Sequence, residues 1–206
     1  MLPNKYPCTF YPAKLFKTGD LIFFKSLKSD HKILTGSYFS HIGMIIVMNG
    51  VPHVLELVPS NVKMIPLDER YRHYSEGQIA VKSLNKPLDQ QRLAKIPAIL
   101  DWAKTVVYSK NANSVWINDC MSNIWDRHDP KTDFTCDRFI AYVLYKFDLI
   151  DANMNLPCSL LNHFEHLSDV KSGYSYGEVR ELCYIDQNGL PDYVNENFRS
   201  LKNMKF

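Results

Sequence analysis

The chain has 206 residues, 46% of them hydrophobic and 22% charged. That composition builds a packed core in one sizeable domain and excludes global disorder. A formal net charge of only +2 argues against a protein whose main work is gripping nucleic acid.

The first clear element is "DLIFFK", residues 20–25, a short apolar run of strand composition. "KSLKSDHKILTGSYFS" is polar and mixed and reads as a loop. "HIGMIIVMNGVPHVLELVP" reads as two strands around an Asn49-Gly50 turn, because Asn-Gly between apolar runs is a strong hairpin signal. "NVKMIPL" adds another strand. Pro66 then opens a short helix that Gly77 would stop, and "QIAVKSL" is a further strand. From Pro87 to about Tyr108, Leu93, Ile96, Ile99, Leu100 and Ala103 recur at helical spacing, with Pro97 as a kink. Residues 109–133 are a polar connection holding Trp116 and Trp125. A helix beginning at Cys136 follows, then a short helix near "LPCSLLNHFEHL" and a tail after about residue 170. Strands first and helices after predict an α+β fold rather than a wound parallel sheet. The whole of 1–206 reads as one domain, with no internal repeat.

No apolar run reaches the length of a membrane span, and the first residues carry no basic-then-apolar leader pattern. Five cysteines, odd in number and scattered, fit a reducing compartment. A cytoplasmic location is the simplest expectation. Cys120, His128 and Cys136 are evenly spaced but match no common zinc pattern. His163 and His166 sit three apart without a companion pair, so no metal site is expected. No phosphate-binding glycine motif is present. Lys14, Lys17, Lys25, Lys28 and Lys32 form a diffuse basic stretch that reads as a solvated face, with a membrane or anionic surface as its minority reading.

Cys136 poses the main question. At about 100° per residue, Phe139, Ile140, Val143, Leu144 and Phe147 form one buried stripe, and Cys136 stands at its N-terminal end. Thr135 is the expected N-cap, its hydroxyl accepting an orphan N–H. A helix N-terminus stabilises a thiolate and can hold a developing oxyanion. A free cysteine is equally at home as a small buried hydrophobe, and the Asp137 anion next to it disfavours a thiolate. A base is needed to decide. Along the first hairpin strand, His41, Gly43, Ile45 and Val47 share a face. A two-residue turn pairs Met48 with Val51, Ile46 with His53 and Gly43 with Glu56. Glu56 then lies on the His41 face, one diagonal step away, while His53 falls on the other face. A carboxylate in that position can fix the tautomer of the imidazole. The plain alternatives are a hydrogen-bonded strand-end histidine and a half-exposed carboxylate.

Taken in order, "TGDLIFF", "SYFSHIGMIIV", "VLELVP" and "FTCDRFIAYVL" resemble the circularly permuted papain-like families of the NlpC superfamily. Their relatives include YiiX-type bacterial proteins, a poxvirus branch and the lecithin retinol acyltransferase group. Those families have a strand after Gly-Asp, then Ser-His-hydrophobic-Gly, an acid on the next strand and a cysteine later on a helix. The resemblance covers most of residues 15–165. It implies a small antiparallel sheet packed against the cysteine-bearing helix. It also implies Cys136 as nucleophile, His41 as base and Glu56 as orienting acid. Asp137 and Arg138 follow the cysteine where the family often has Ser or Glu, and the 109–133 loop is long; both departures bear on substrate more than on chemistry. The expected function is cysteine-dependent hydrolysis of an amide or peptide bond through an acyl-enzyme, requiring no cofactor. The expected partners are peptide, isopeptide or lipid acyl substrates. The alternatives are a lipid acyl hydrolase or acyltransferase, and a catalytically silent binding module.

Overall fold

The computed structural model describes residues 8–10, 13–25, 37–72, 78–108, 134–151 and 160–184. Part of the expected loop after Lys25, Gly77, and the 109–133 connection with Cys120, His128 and both of its tryptophans lie outside the described residues. The architecture is α+β. The strands are β1 (Cys8–Phe10), β2 (Leu21–Phe24), β3 (His41–Met48), β4 (Val51–Leu57), β5 (Val62–Pro66), β6 (Ile79–Lys82) and β7 (Arg180–Tyr184). They form one sheet of order β1-β7-β6-β2-β3-β4-β5. Strands β2 to β7 pair antiparallel, while β1 lies parallel to β7 at the edge. The helices are α1 (Leu67–Tyr71), α2 (Gln90–Leu93), α3 (Ile96–Ala103), α4 (Cys136–Lys146) and α5 (Leu160–His166).

The sheet is covered on both faces, which is why its central strands read as apolar runs rather than clean alternation. All of "LIFF" in β2 is buried. One core holds Leu21, Phe23, Ile42, Met44, Ile46 and Leu55 together with Phe139, Ile140, Val143, Leu144 and Phe147 of the α4 region. A second core, on the other face, holds Ile22, Phe24, Ile45, Val54 and Leu67. The five residues of the predicted α4 stripe are fully buried. Each such side chain contributes about 1.5–3 kcal/mol of burial, so this stripe fixes the helix on the sheet. Trp102 of α3 adds a lateral wall: its ring stacks on Phe139 at 5.7 Å and meets Phe134 edge-on at 5.7 Å.

The hairpin follows the expected geometry. Asn49 and Gly50 have φ of 51° and 77°, the left-handed pair that a tight two-residue turn requires. The register is Met48 to Val51, Ile46 to His53 and Gly43 to Glu56. At Gly43 a Cβ would stand 2.8 Å from Val54 Cγ1 and 3.1 Å from the Leu55 carbonyl oxygen. Only glycine lets β2, β3 and β4 approach this closely.

Three details differ from the sequence expectation. The helical stretch after Pro87 is split into α2 and α3, with Pro97 in the first turn of α3. Proline lacks an N–H and is tolerated at a helix start, so it opens a helix there instead of kinking one. Thr135 occupies the N-cap position of α4, but its side chain caps no N–H. Its hydroxyl donates instead to Asp137 Oδ1, which also accepts the Arg138 N–H at 3.0 Å. Finally, residues 180–184 are not tail but strand β7, inserted between β1 and β6.

The Gly19-Asp20 corner locks the start of β2. Asp20 is fully buried and accepts the Lys17 and Leu84 N–H groups, each at 2.9 Å. Burial pushes its carboxyl up to about 6 even though those bonds and the Lys17 charge pull it down. The Tyr176 hydroxyl donates to the Gly19 carbonyl at 2.8 Å, tying the chain after α5 to this corner.

Candidate active site

His41 is the first residue of β3, where the sheet ends. Its strand face is that of Gly43 and Ile45, so the ring starts on the side of the second core. Cys136 packs at the margin of the first core, at the N-terminus of α4. The two side chains, one from each side of the sheet, interact electrostatically at this end. The Cys136 sulfur lies close enough to the imidazole to act on it as a charge and as a hydrogen-bonding group. Cys136 is only partly buried.

Glu56 is fully buried, and its Oε2 lies 2.7 Å from His41 Nε2. The hairpin register produces this contact, as the strand parity predicted. With Nε2 engaged by Glu56, Nδ1 is the ring nitrogen left for the sulfur. Burial works against a charged imidazole here. The Cys136 sulfur, as negative charge and hydrogen-bond partner, outweighs it together with Glu56, and the His41 pKa is pushed up to about 9. Burial pushes Glu56 up too, yet His41 and Arg70 together hold its carboxyl below the ordinary carboxylate range. His53, placed on the other face by parity, bonds the Val51 carbonyl at 2.9 Å and takes no part.

Three neighbours were not singled out from the sequence. Phe24 is in register with His41, with ring centroids 5.5 Å apart. Arg70 of α1 pairs with Glu56, Nε to Oε1 at 2.8 Å. Tyr108, bridged to Phe134, has its hydroxyl pushed up by burial and then by the negative charges of Cys136 and Asp137. No motif marks any of the three; they are ordinary residues delivered by tertiary structure. A thiol held against an imidazole that a carboxylate orients has the parts needed for nucleophilic attack on a carbonyl.

No family model matches the chain. Over 85 residues it is 35% identical to the uncharacterized protein YiiX of Escherichia coli strain K12, a match covering 38% of this chain and 42% of that protein. That stretch is homologous to YiiX. The chain thus spans about two fifths of the curated relative it matches. It is also similar to the crystal structure of metalloprotein YiiX from Escherichia coli O157:H7, with a TM-score of 0.47 and 23% identity over 63% of this chain and 64% of that one. Among the described residues, no group of three or more His, Cys, Asp or Glu side chains is placed to hold a metal ion. No helix among them is long and apolar enough to cross a membrane.

Proposed function

We propose that the chain is a cysteine-dependent amide hydrolase of the permuted papain-like kind, working through Cys136, His41 and Glu56. The observation that carries this reading is the His41 ring, held at 2.7 Å by the buried Glu56 carboxylate and acted on electrostatically by the Cys136 sulfur. In the first half-reaction the proton of the Cys136–His41 pair rests on the imidazole, whose pKa is pushed up to about 9, and the sulfur bonds to the carbonyl carbon. The carbonyl oxygen becomes an oxyanion beside the Cys136 N–H, one of the first-turn donors that α4 leaves without a helical acceptor. Collapse breaks the C–N bond, and the leaving amine takes the proton from the imidazolium. In the second half His41 takes a proton from water. The resulting hydroxide attacks the thioester, releasing the acid and restoring the thiol. Glu56 holds the ring throughout and stabilises its charged form.

The test is a small activated ester. Native protein is incubated with p-nitrophenyl acetate and its peptides are resolved by mass spectrometry. The expected result is an acetyl group on Cys136 that is later lost to water, with Cys136→Ser giving no p-nitrophenol above the uncatalysed background. Acetyl spread evenly over the cysteines and lysines, with Cys136→Ser unchanged, would remove the proposal.

A further inference from the structure

Glu56 is gripped from its far side. Arg70 Nε lies 2.8 Å from Oε1, and Nη2 donates to Oε2 at 3.0 Å. Oε2 is the same oxygen that meets His41 Nε2. The Arg70 guanidinium also lies over the Phe24 ring, 4.8 Å from its centroid, and that ring neighbours His41. Arg70 therefore reaches the imidazole by two routes, one polar and one through a shared aromatic ring.

A single hydrogen bond leaves a carboxylate free to turn about its last bond and present either oxygen. The planar guanidinium fork restrains that rotation: Nη2 donates to Oε2, while Nε stays within ion-pair distance of Oε1 without the alignment of a second hydrogen bond. With the carboxylate plane restrained, Oε2 stays aimed at Nε2, the ring keeps its proton there, and Nδ1 stays available to the sulfur. We infer that Arg70 is a positioning residue of the site, setting the Glu56 carboxylate so that one oxygen is shared between guanidinium and imidazole. This rests on the proposed thiol chemistry. A lysine in its place would keep the charge but lose the fork.

Several charged and titratable groups face this centre. Cys136 and Asp137 come from α4, and Arg70 from α1. Lys63 stands opposite Glu56 on β5 with its residue exposed. Tyr108 lies near the sulfur. Of these, Arg70 and His41 are the cations that act on Glu56. Removing Arg70 lets Glu56 take up a proton at higher pH, and a neutral Glu56 no longer supports the imidazolium.

The experiment follows iodoacetamide alkylation of Cys136, resolved by peptide mass spectrometry, from acid to neutral pH in wild type, Arg70→Gln and Arg70→Lys. Circular dichroism checks the fold of each. The wild-type rate falls on the acid side. In Arg70→Gln that limb moves to higher pH by about one unit, a loss of about tenfold at a given pH on the limb. In Arg70→Lys the limb stays nearer to wild type, but the rate is lower because the fork is gone. An Arg70→Gln profile that overlays a fast wild-type profile overturns the inference alone. A wild-type Cys136 no faster than the other cysteines removes the thiol chemistry and this inference with it. Should Arg70→Gln not fold, Arg70→Lys decides: a rate equal to wild type overturns the positioning role, and a slowed rate with an unmoved limb supports it.

Discussion

Replacing His41 with alanine is expected to slow acylation of Cys136 by p-nitrophenyl acetate about a hundredfold to ten-thousandfold, the span a positioned general base or acid usually supplies. The side chain is partly exposed at the end of β3 and outside both hydrophobic cores, so the fold should survive its removal. The loss is therefore chemical: the sulfur loses the imidazole that holds the pair's proton and supports its negative charge. The wild-type pH profile carries a matching signature. With the His41 pKa pushed up to about 9, the ring stays charged through neutrality and can donate to a leaving group. Turnover of an amide substrate should fall as pH rises through about 9, when that proton is lost. Stopped-flow release of p-nitrophenol together with peptide-resolved acetylation measures the first effect. An unchanged rate in His41→Ala would deny the ring its role.

Glu56→Ala should cost stability as well as rate. It strips a fully buried carboxylate from between His41 and Arg70 and leaves the guanidinium, itself mostly buried, facing an empty site. Breaking a buried ion pair from one side costs about 3–5 kcal/mol, read as a fall in the urea midpoint. The pH dependence has a definite sign. The folded carboxyl titrates below its ordinary 4.5, so its stabilisation is present above that value and is lost as pH falls through the folded value. The gap between wild type and Glu56→Ala should be widest near neutrality and should close in acid. A gap that grows in acid, or no gap at neutral pH, would mean that the Arg70 and His41 contacts do not hold this carboxylate in solution.

The parts legible in the sequence are those set by local rules. Asn49-Gly50 favours a tight two-residue turn, and on that turn the register counts outward to pair Gly43 with Glu56. Strand parity then puts His41 and Glu56 on one face. The stripe from Phe139 to Phe147 fixed the buried side of α4. What stayed hidden depends on tertiary packing. Strand β7 escaped because Glu181 and Leu182 are both fully buried. A charged residue inside the sheet breaks the apolar pattern by which strands are found. Arg70 sits in the polar run "LDERYRHYSEG", where charges crowd together and none stands out. Only the turn of the chain from β5 into α1 brings it back over Phe24 and Glu56. Thr135 had the right identity for an N-cap, yet the neighbouring Asp137 carboxylate competes for its hydroxyl and takes it.

The most direct trial of the account is site-resolved alkylation of the native protein near neutral pH with limiting iodoacetamide, each cysteine read by its own peptide. Pairing of the Cys136 sulfur with the His41 ring predicts that Cys136 is modified well ahead of the other cysteines. It also predicts that this lead vanishes in urea and is lost in His41→Ala. Cys136 labelling at the same rate folded or unfolded, with or without the imidazole, would contradict it.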